Sequence, residues 1–152
     1  MNRPAIVIVT FKRQELLSQL LDSIEKSSVA PWRVVVVDNE NSAATGDIVR
    51  GFEARANALW GTTDDDPDAE GGTSRAVYMP MEENTGGAGG FSAGVRRAYE
   101  LGAEWFWVMD DDVAIEPDGL AALARWSEES DAIMGTRRDF DGGHFFWQHR
   151  FW

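Results

Sequence analysis

Four short apolar runs, separated by stretches of helical periodicity, most constrain what this chain can become. Ala5 to Thr10 (AIVIVT) and Arg33 to Val37 (RVVVV) are unbroken and rich in β-branched residues, the pattern of strands buried on both faces. Trp105 to Met109 (WFWVM) reads in the same way. Ala76 to Met81 is a further run, weakened by Pro80, which cannot donate to a sheet ladder. Between the runs, Gln14 to Ser27 carries Leu16, Leu17, Leu20, Leu21 and Ile24 as one helical stripe, and Ile48, Phe52, Ala56 and Leu59 recur at helical spacing. Glycine-dense Asn84 to Gly94 leads into a short helix ending near Leu101, with Gly102 as its stop. Glu116–Pro117–Asp118 opens another helix, with Leu120, Leu123 and Trp126 on one face. Ala132 to Met134 is a candidate fifth strand. Alternating strands and helices, with strands apolar on both faces, imply an α/β fold: a mostly parallel sheet flanked by helices.

Length and charge narrow the function classes. A chain of 152 residues suits one domain, placed at residues 1–135, with residues 136–152 an aromatic tail lacking the strand–helix pattern. The formal charge of −12 repels phosphate backbones, so nucleic acid is excluded as a partner. No cysteine is present, which excludes disulfides, thiolate nucleophiles and Cys-ligated zinc. No segment approaches the ~18 apolar residues of a membrane span and no signal peptide is evident, so the expected location is cytoplasmic. The aromatic tail (Phe145, Phe146, Trp147, Phe151, Trp152), if exposed, suggests a missing partner segment, a homo-oligomer contact or a peripheral contact at the membrane surface.

In parallel sheets ligands bind beyond the carboxyl ends of the strands. That rule selects Thr10 to Arg13, Asp38–Asn39 and Asp110 to Asp112, three polar clusters expected to line one crevice. In the acid triplet, alternation along an extended chain turns Asp110 and Asp112 one way and Asp111 the other. Two converging carboxylates suit Mg²⁺ or Mn²⁺, which take oxygen ligands and share them with substrate phosphates; a bland polar loop start is the alternative. Asp64–Asp65–Asp66 follows no strand and reads as solvated loop. Asp38 offers an acceptor for a nucleobase N–H, or else a turn or helix cap. Thr10, Phe11 and Arg13 supply a hydroxyl, an aromatic face and a guanidinium able to grip phosphate in a bidentate way, although an arginine at a helix start is also common on surfaces. The Asn84–Ser92 stretch allows close backbone approach to a ligand or close helix packing. It is not a P-loop, since no Gly-Lys-Ser/Thr follows. His144 and His149 do not share a helical face, and no nucleophile elbow is present.

Together, Ile8-Val9-Thr10-Phe11-Lys12-Arg13, Val37-Asp38-Asn39, Asn84-Thr85-Gly86-Gly87-Ala88-Gly89-Gly90-Phe91 and Met109-Asp110-Asp111-Asp112 resemble the amino-terminal half of family 2 glycosyltransferases of the GT-A fold. Bacterial galactofuranosyltransferases are most similar, with rhamnosyltransferases close behind. The resemblance implies a metal-dependent, inverting transfer of a sugar from a UDP- or dTDP-sugar to a hydroxyl of a glycan acceptor, lipid-linked in some members. It implies that Thr10 and Asp38 contact the base, Arg13 the phosphates, and Asn84 the nucleotide–sugar. Asp110 would lie near the ribose, phosphate or metal, and Asp112 would ligate Mn²⁺ or Mg²⁺; Asp111 has the weaker claim. The family's catalytic base lies well downstream, and neither Asp139 nor Asp141 matches its motif, so the domain is expected to be incomplete at the C-terminal side. A nucleotide-sugar-binding unit without transfer is the second hypothesis. A nucleotidyltransferase is disfavoured because Thr10–Arg13 contains no glycine, and a phosphatase because no aspartate follows the first strand.

Overall fold

A computed structural model describes residues 1–63, 73–139 and 141. Its elements run β1 (Pro4–Thr10), α1 (Gln14–Glu25), β2 (Arg33–Asp38), α2 (Ala43–Trp60), β3 (Ala76–Pro80), α3 (Gly86–Glu100), β4 (Trp105–Asp110) and α4 (Gly119–Trp126). The four strands form one parallel sheet in the order β3-β2-β1-β4. Pro80 is the last residue of β3, an edge strand, where its missing N–H breaks no ladder.

Helices cover the two faces of the sheet. Ile6, Ile8, Val34 and Val36 pack on one side against Leu17, Leu20, Leu21 and Ile24 of α1 and Val49, Phe52 and Ala56 of α2. Val7, Val9, Val35 and Val37 face the other side, where Ala98 of α3 joins them. Each such side chain taken fully out of water contributes roughly 1.5–3 kcal/mol, so the two central strands anchor the domain.

Four expectations change. The glycine-dense segment is not a loop before a short helix: α3 begins at Gly86 and includes five glycines. Space explains the composition, since a Cβ at Gly90 would lie 2.8 Å from Val9 Cγ1, and one at Gly94 would lie 2.6 Å from Val7 Cγ1. The helix therefore rests directly on the sheet, the packing half of the sequence reading. β4 is an edge strand and is not buried on both faces; Val108 is 49% exposed. Residues 132–134 form no strand. Leu59 and Trp126, each in the last turn of its helix, are exposed rather than part of the core.

Among the described residues, no helix is long and apolar enough to cross a membrane. The second acid triplet, both histidines and the tail aromatics lie outside the described residues.

Candidate functional site

The strand order creates a switch point. From β1 the chain steps outward to β2 and β3, then returns across the sheet to place β4 on the other side of β1. The carboxyl ends of β1 and β4 therefore stand side by side, with Val9 in register with Asp110, the position where open parallel sheets form a ligand crevice.

Four residues from these two ends interlock there. Thr10, 2% exposed, donates its hydroxyl to Asp111 Oδ2 at 2.7 Å. Arg13 reaches back from the start of α1, its Nη1 donating to Asp111 Oδ1 at 3.3 Å and to Asp112 Oδ2 at 3.1 Å. The chain can turn back so sharply because Lys12 takes a left-handed conformation, φ 57°. Its ammonium sits 5.1 Å from the centroid of the half-exposed Phe11 ring.

The triplet divides by burial. Asp110 and Asp112 are exposed, whereas Asp111 is buried, 3% exposed. Exposure thus alternates along the triplet, yet the middle acid has the most protein partners. An ionised carboxylate so covered needs donors, and Thr10 and Arg13 supply them. The two outer carboxylates face solvent, Asp112 while also paired with Arg13, and exposed carboxylates are the donors a hard cation accepts when it shares phosphate oxygens and water. Among the described residues, no group of three His, Asp or Glu side chains could enclose a metal without such help.

The end of β2 is organised differently. Asp38 is fully buried. Its Oδ1 accepts the N–H of Glu40 at 2.9 Å, while Oδ2 accepts the N–H of Ser42 at 2.9 Å and the hydroxyl of Tyr78 at 2.8 Å. This is the turn-forming use of an aspartate, and it delivers the chain to Ser42, whose Oγ caps α2 by accepting Thr45 N–H at 3.1 Å. Burial, and then the hydrogen bond to Asp38 and its charge, push the Tyr78 hydroxyl up to about 12.

Asn39 carries a link that sequence reasoning left without a role. It is 5% exposed; its Nδ2 donates to Gly86 O at 3.1 Å and its Oδ1 accepts Thr85 N–H at 3.3 Å. The end of β2 is thereby tied to the start of α3. Asn84 is exposed beside it and accepts Gly86 N–H at 2.9 Å, shaping the turn in which Gly86 has φ 67°. Gln14 is a second residue missed, its Nε2 donating to Glu40 Oε2 at 2.7 Å. Asn39 stood in a recognised polar cluster, but nothing in the chain's periodicity signals Tyr78 or Gln14. Their partners lie 40 and 26 residues away and meet them only in the folded chain.

The profile of glycosyl transferase family 2 matches residues 5–152, nearly the whole chain. The chain belongs to this family. Galactofuranosyltransferase GlfT1 of Mycolicibacterium smegmatis is 33% identical over 106 residues, 70% of this chain and 28% of that protein. Its counterpart in Mycobacterium tuberculosis is 31% identical over 106 residues, again 70% of this chain and 29% of the relative. The chain thus spans less than a third of the length of these relatives. Two solved structures share the fold. Mannosyltransferase PcManGT from Pyrobaculum calidifontis, in complex with GDP-Man and Mn²⁺, superposes with a TM-score of 0.66 at 20% identity, over 90% of this chain and 36% of that one. Residues 1–349 of S. aureus TarS, in complex with UDP-GlcNAc, give 0.63 at 21% identity, over 84% and 31%. The expected GT-A architecture, a mostly parallel sheet flanked by helices, is the one observed.

Proposed function

We propose that this chain is the donor-binding part of a glycosyltransferase that uses Mn²⁺ or Mg²⁺ to transfer a sugar of the galactofuranose or rhamnose class. The donor is a UDP- or dTDP-sugar, the acceptor a hydroxyl of a glycan such as a lipid-linked one, and the anomeric configuration inverts. The observation that carries this reading is the Thr10–Asp111–Arg13–Asp112 cluster at the switch point between β1 and β4. The resemblance to galactofuranosyltransferases supports the sugar class.

Each residue then has a task. Asp110 and Asp112 are the carboxylates that would hold the cation, whose chemistry is to stabilise negative charge on the departing diphosphate. Asp111, anchored by the Thr10 hydroxyl, holds Arg13 at the mouth of the crevice, where its guanidinium can grip a phosphate oxygen. Phe11, half-exposed at the same strand end, is the aromatic residue we assign to stack on a pyrimidine base. Asp38 and Asn39 shape the floor on which the base rests, Asp38 through its turn and Asn39 through its tie to α3. Asn84, exposed at the turn into α3, is the residue we assign to the nucleotide–sugar. A general base must take the acceptor's proton as it attacks the anomeric carbon, and we assign that role to none of the residues described.

Calorimetric titration of UDP, dTDP and GDP in Mn²⁺ and then in excess chelator tests the reading. Metal-dependent binding of UDP or dTDP, stronger than that of GDP, is expected. Absence of binding by folded protein in either condition would refute it. Measuring sugar transfer beside binding separates transfer from donor binding alone.

A further inference from the structure

Arg13 occupies the same carboxylate that the cation needs. One nitrogen, Nη1, lies 3.3 Å from Asp111 Oδ1 and 3.1 Å from Asp112 Oδ2. The two acids differ in how firmly they hold it. Asp111's side chain is only 4% exposed and is pinned by Thr10, while Asp112's is 51% exposed and Arg13's 52%. The Asp111 carboxylate is therefore a fixed acceptor beside the guanidinium, and the Asp112 contact is a surface ion pair, worth little and readily exchanged. Among the described residues, moreover, no third acid or histidine joins the outer carboxylates to form a closed metal cage.

From these contacts we propose that Arg13 makes cation binding conditional on the donor. Without nucleotide, its guanidinium neutralises Asp112 and its positive charge repels a divalent ion from the same oxygens. An arriving diphosphate offers the guanidinium a better bidentate partner, drawing it off Asp112 while it stays near Asp111. The freed carboxylate and the phosphate oxygens together then supply what the protein alone lacks. Cation and nucleotide consequently bind with positive coupling, and linkage requires each to raise the other's affinity by the same factor. This inference rests on the donor reading above and adds an order of events to it.

Manganese binding, followed by loss of the free-Mn²⁺ electron paramagnetic resonance signal, tests it without any turnover. With MnCl₂ alone, Arg13→Met should bind Mn²⁺ roughly three- to tenfold more tightly than the wild type, the scale of one nearby positive charge removed from a half-solvated site. Arg13→Lys, which keeps the charge, should stay close to the wild type. Added UDP should tighten Mn²⁺ binding about tenfold or more in the wild type and clearly less in Arg13→Met. Unchanged or weaker nucleotide-free Mn²⁺ binding by Arg13→Met would overturn the competition. Equal Mn²⁺ affinity in wild type with and without bound UDP would overturn the coupling. Failure of the wild type to bind UDP at any Mn²⁺ level would instead strike the donor reading, and is told apart by the metal-alone comparison.

Discussion

Asp111→Asn and Asp112→Asn should separate folding from binding, although the two residues are neighbours. Asp111 is 3% exposed and accepts the Thr10 hydroxyl at 2.7 Å and Arg13 Nη1 at 3.3 Å. Asparagine keeps the shape but replaces one oxygen with an NH₂ group, so one of the two donors meets another donor. Hydrogen bonds to charged groups contribute about 1.5–3 kcal/mol, and Arg13 is half in water, so a net loss of about 1–2 kcal/mol is expected. For a domain of this length that lowers Tm by roughly 2–8 °C. Asp112 has one ion pair with Arg13, and both side chains are about half exposed. Such pairs contribute about 0–1 kcal/mol, so Asp112→Asn should move Tm by less than about 4 °C. Its effect on Mn²⁺-dependent UDP binding should be the larger of the two, because in the proposed function Asp112 is a cation ligand and Asp111 is not. Thermal melts followed by circular dichroism, with UDP calorimetry on the same samples, make the comparison. Equal thermal losses, or a greater loss in Asp112→Asn, would refute the division of labour drawn from burial.

Gly94→Ala should destabilise the chain by about 1–2 kcal/mol, because the new Cβ meets two fully buried valines at 2.6 and 2.7 Å and the clash exceeds the gain in helix propensity. Gly87→Ala, with no atom within 4 Å, should be neutral or stabilising in the same urea titration, and matching losses would remove the close-packing explanation. Alkaline stability tests Tyr78: its folded-state value of about 12 lies above the ordinary 10, so the fold favours the neutral phenol. That contribution is complete below pH 10 and is lost as pH rises from about 10 through 12. Tyr78→Phe should flatten the stability profile over that interval, and an unchanged slope would show that the phenol does not carry it.

Much of the architecture was legible along the chain. Unbroken β-branched runs can be satisfied only by burial on both faces, and β1 and β2 are so buried. The runs' polar ends marked where a crevice would open. Pro80 made β3 look doubtful, yet a proline is harmless at an edge, and edge position is not written in the residues around it. The glycines of α3 misled in the other direction. Glycine disfavours helix in isolation, and only contact with Val7, Val9 and Val37 makes the missing Cβ an advantage. From its position alone Asp38 read more readily as a turn or cap residue than as a base acceptor, and the base contact came from the family resemblance. Its Glu40, Ser42 and Tyr78 contacts give it the turn role in this structure.

What the sequence determined by itself is the succession of elements and the polar residues that end each strand, because periodicity and burial are local properties of a chain. It also carried the family, through four short motifs in order. The tertiary structure decided which strand ends are neighbours. The return of the chain from β3 across to β4 brings Asp111 to within hydrogen-bond reach of Thr10, 101 residues earlier. Strand order depends on which helices cover which face of the sheet, a property of the whole molecule. For that reason the middle acid, given the least weight by alternation alone, proves to be the buried anchor that aims Arg13 at its exposed neighbour.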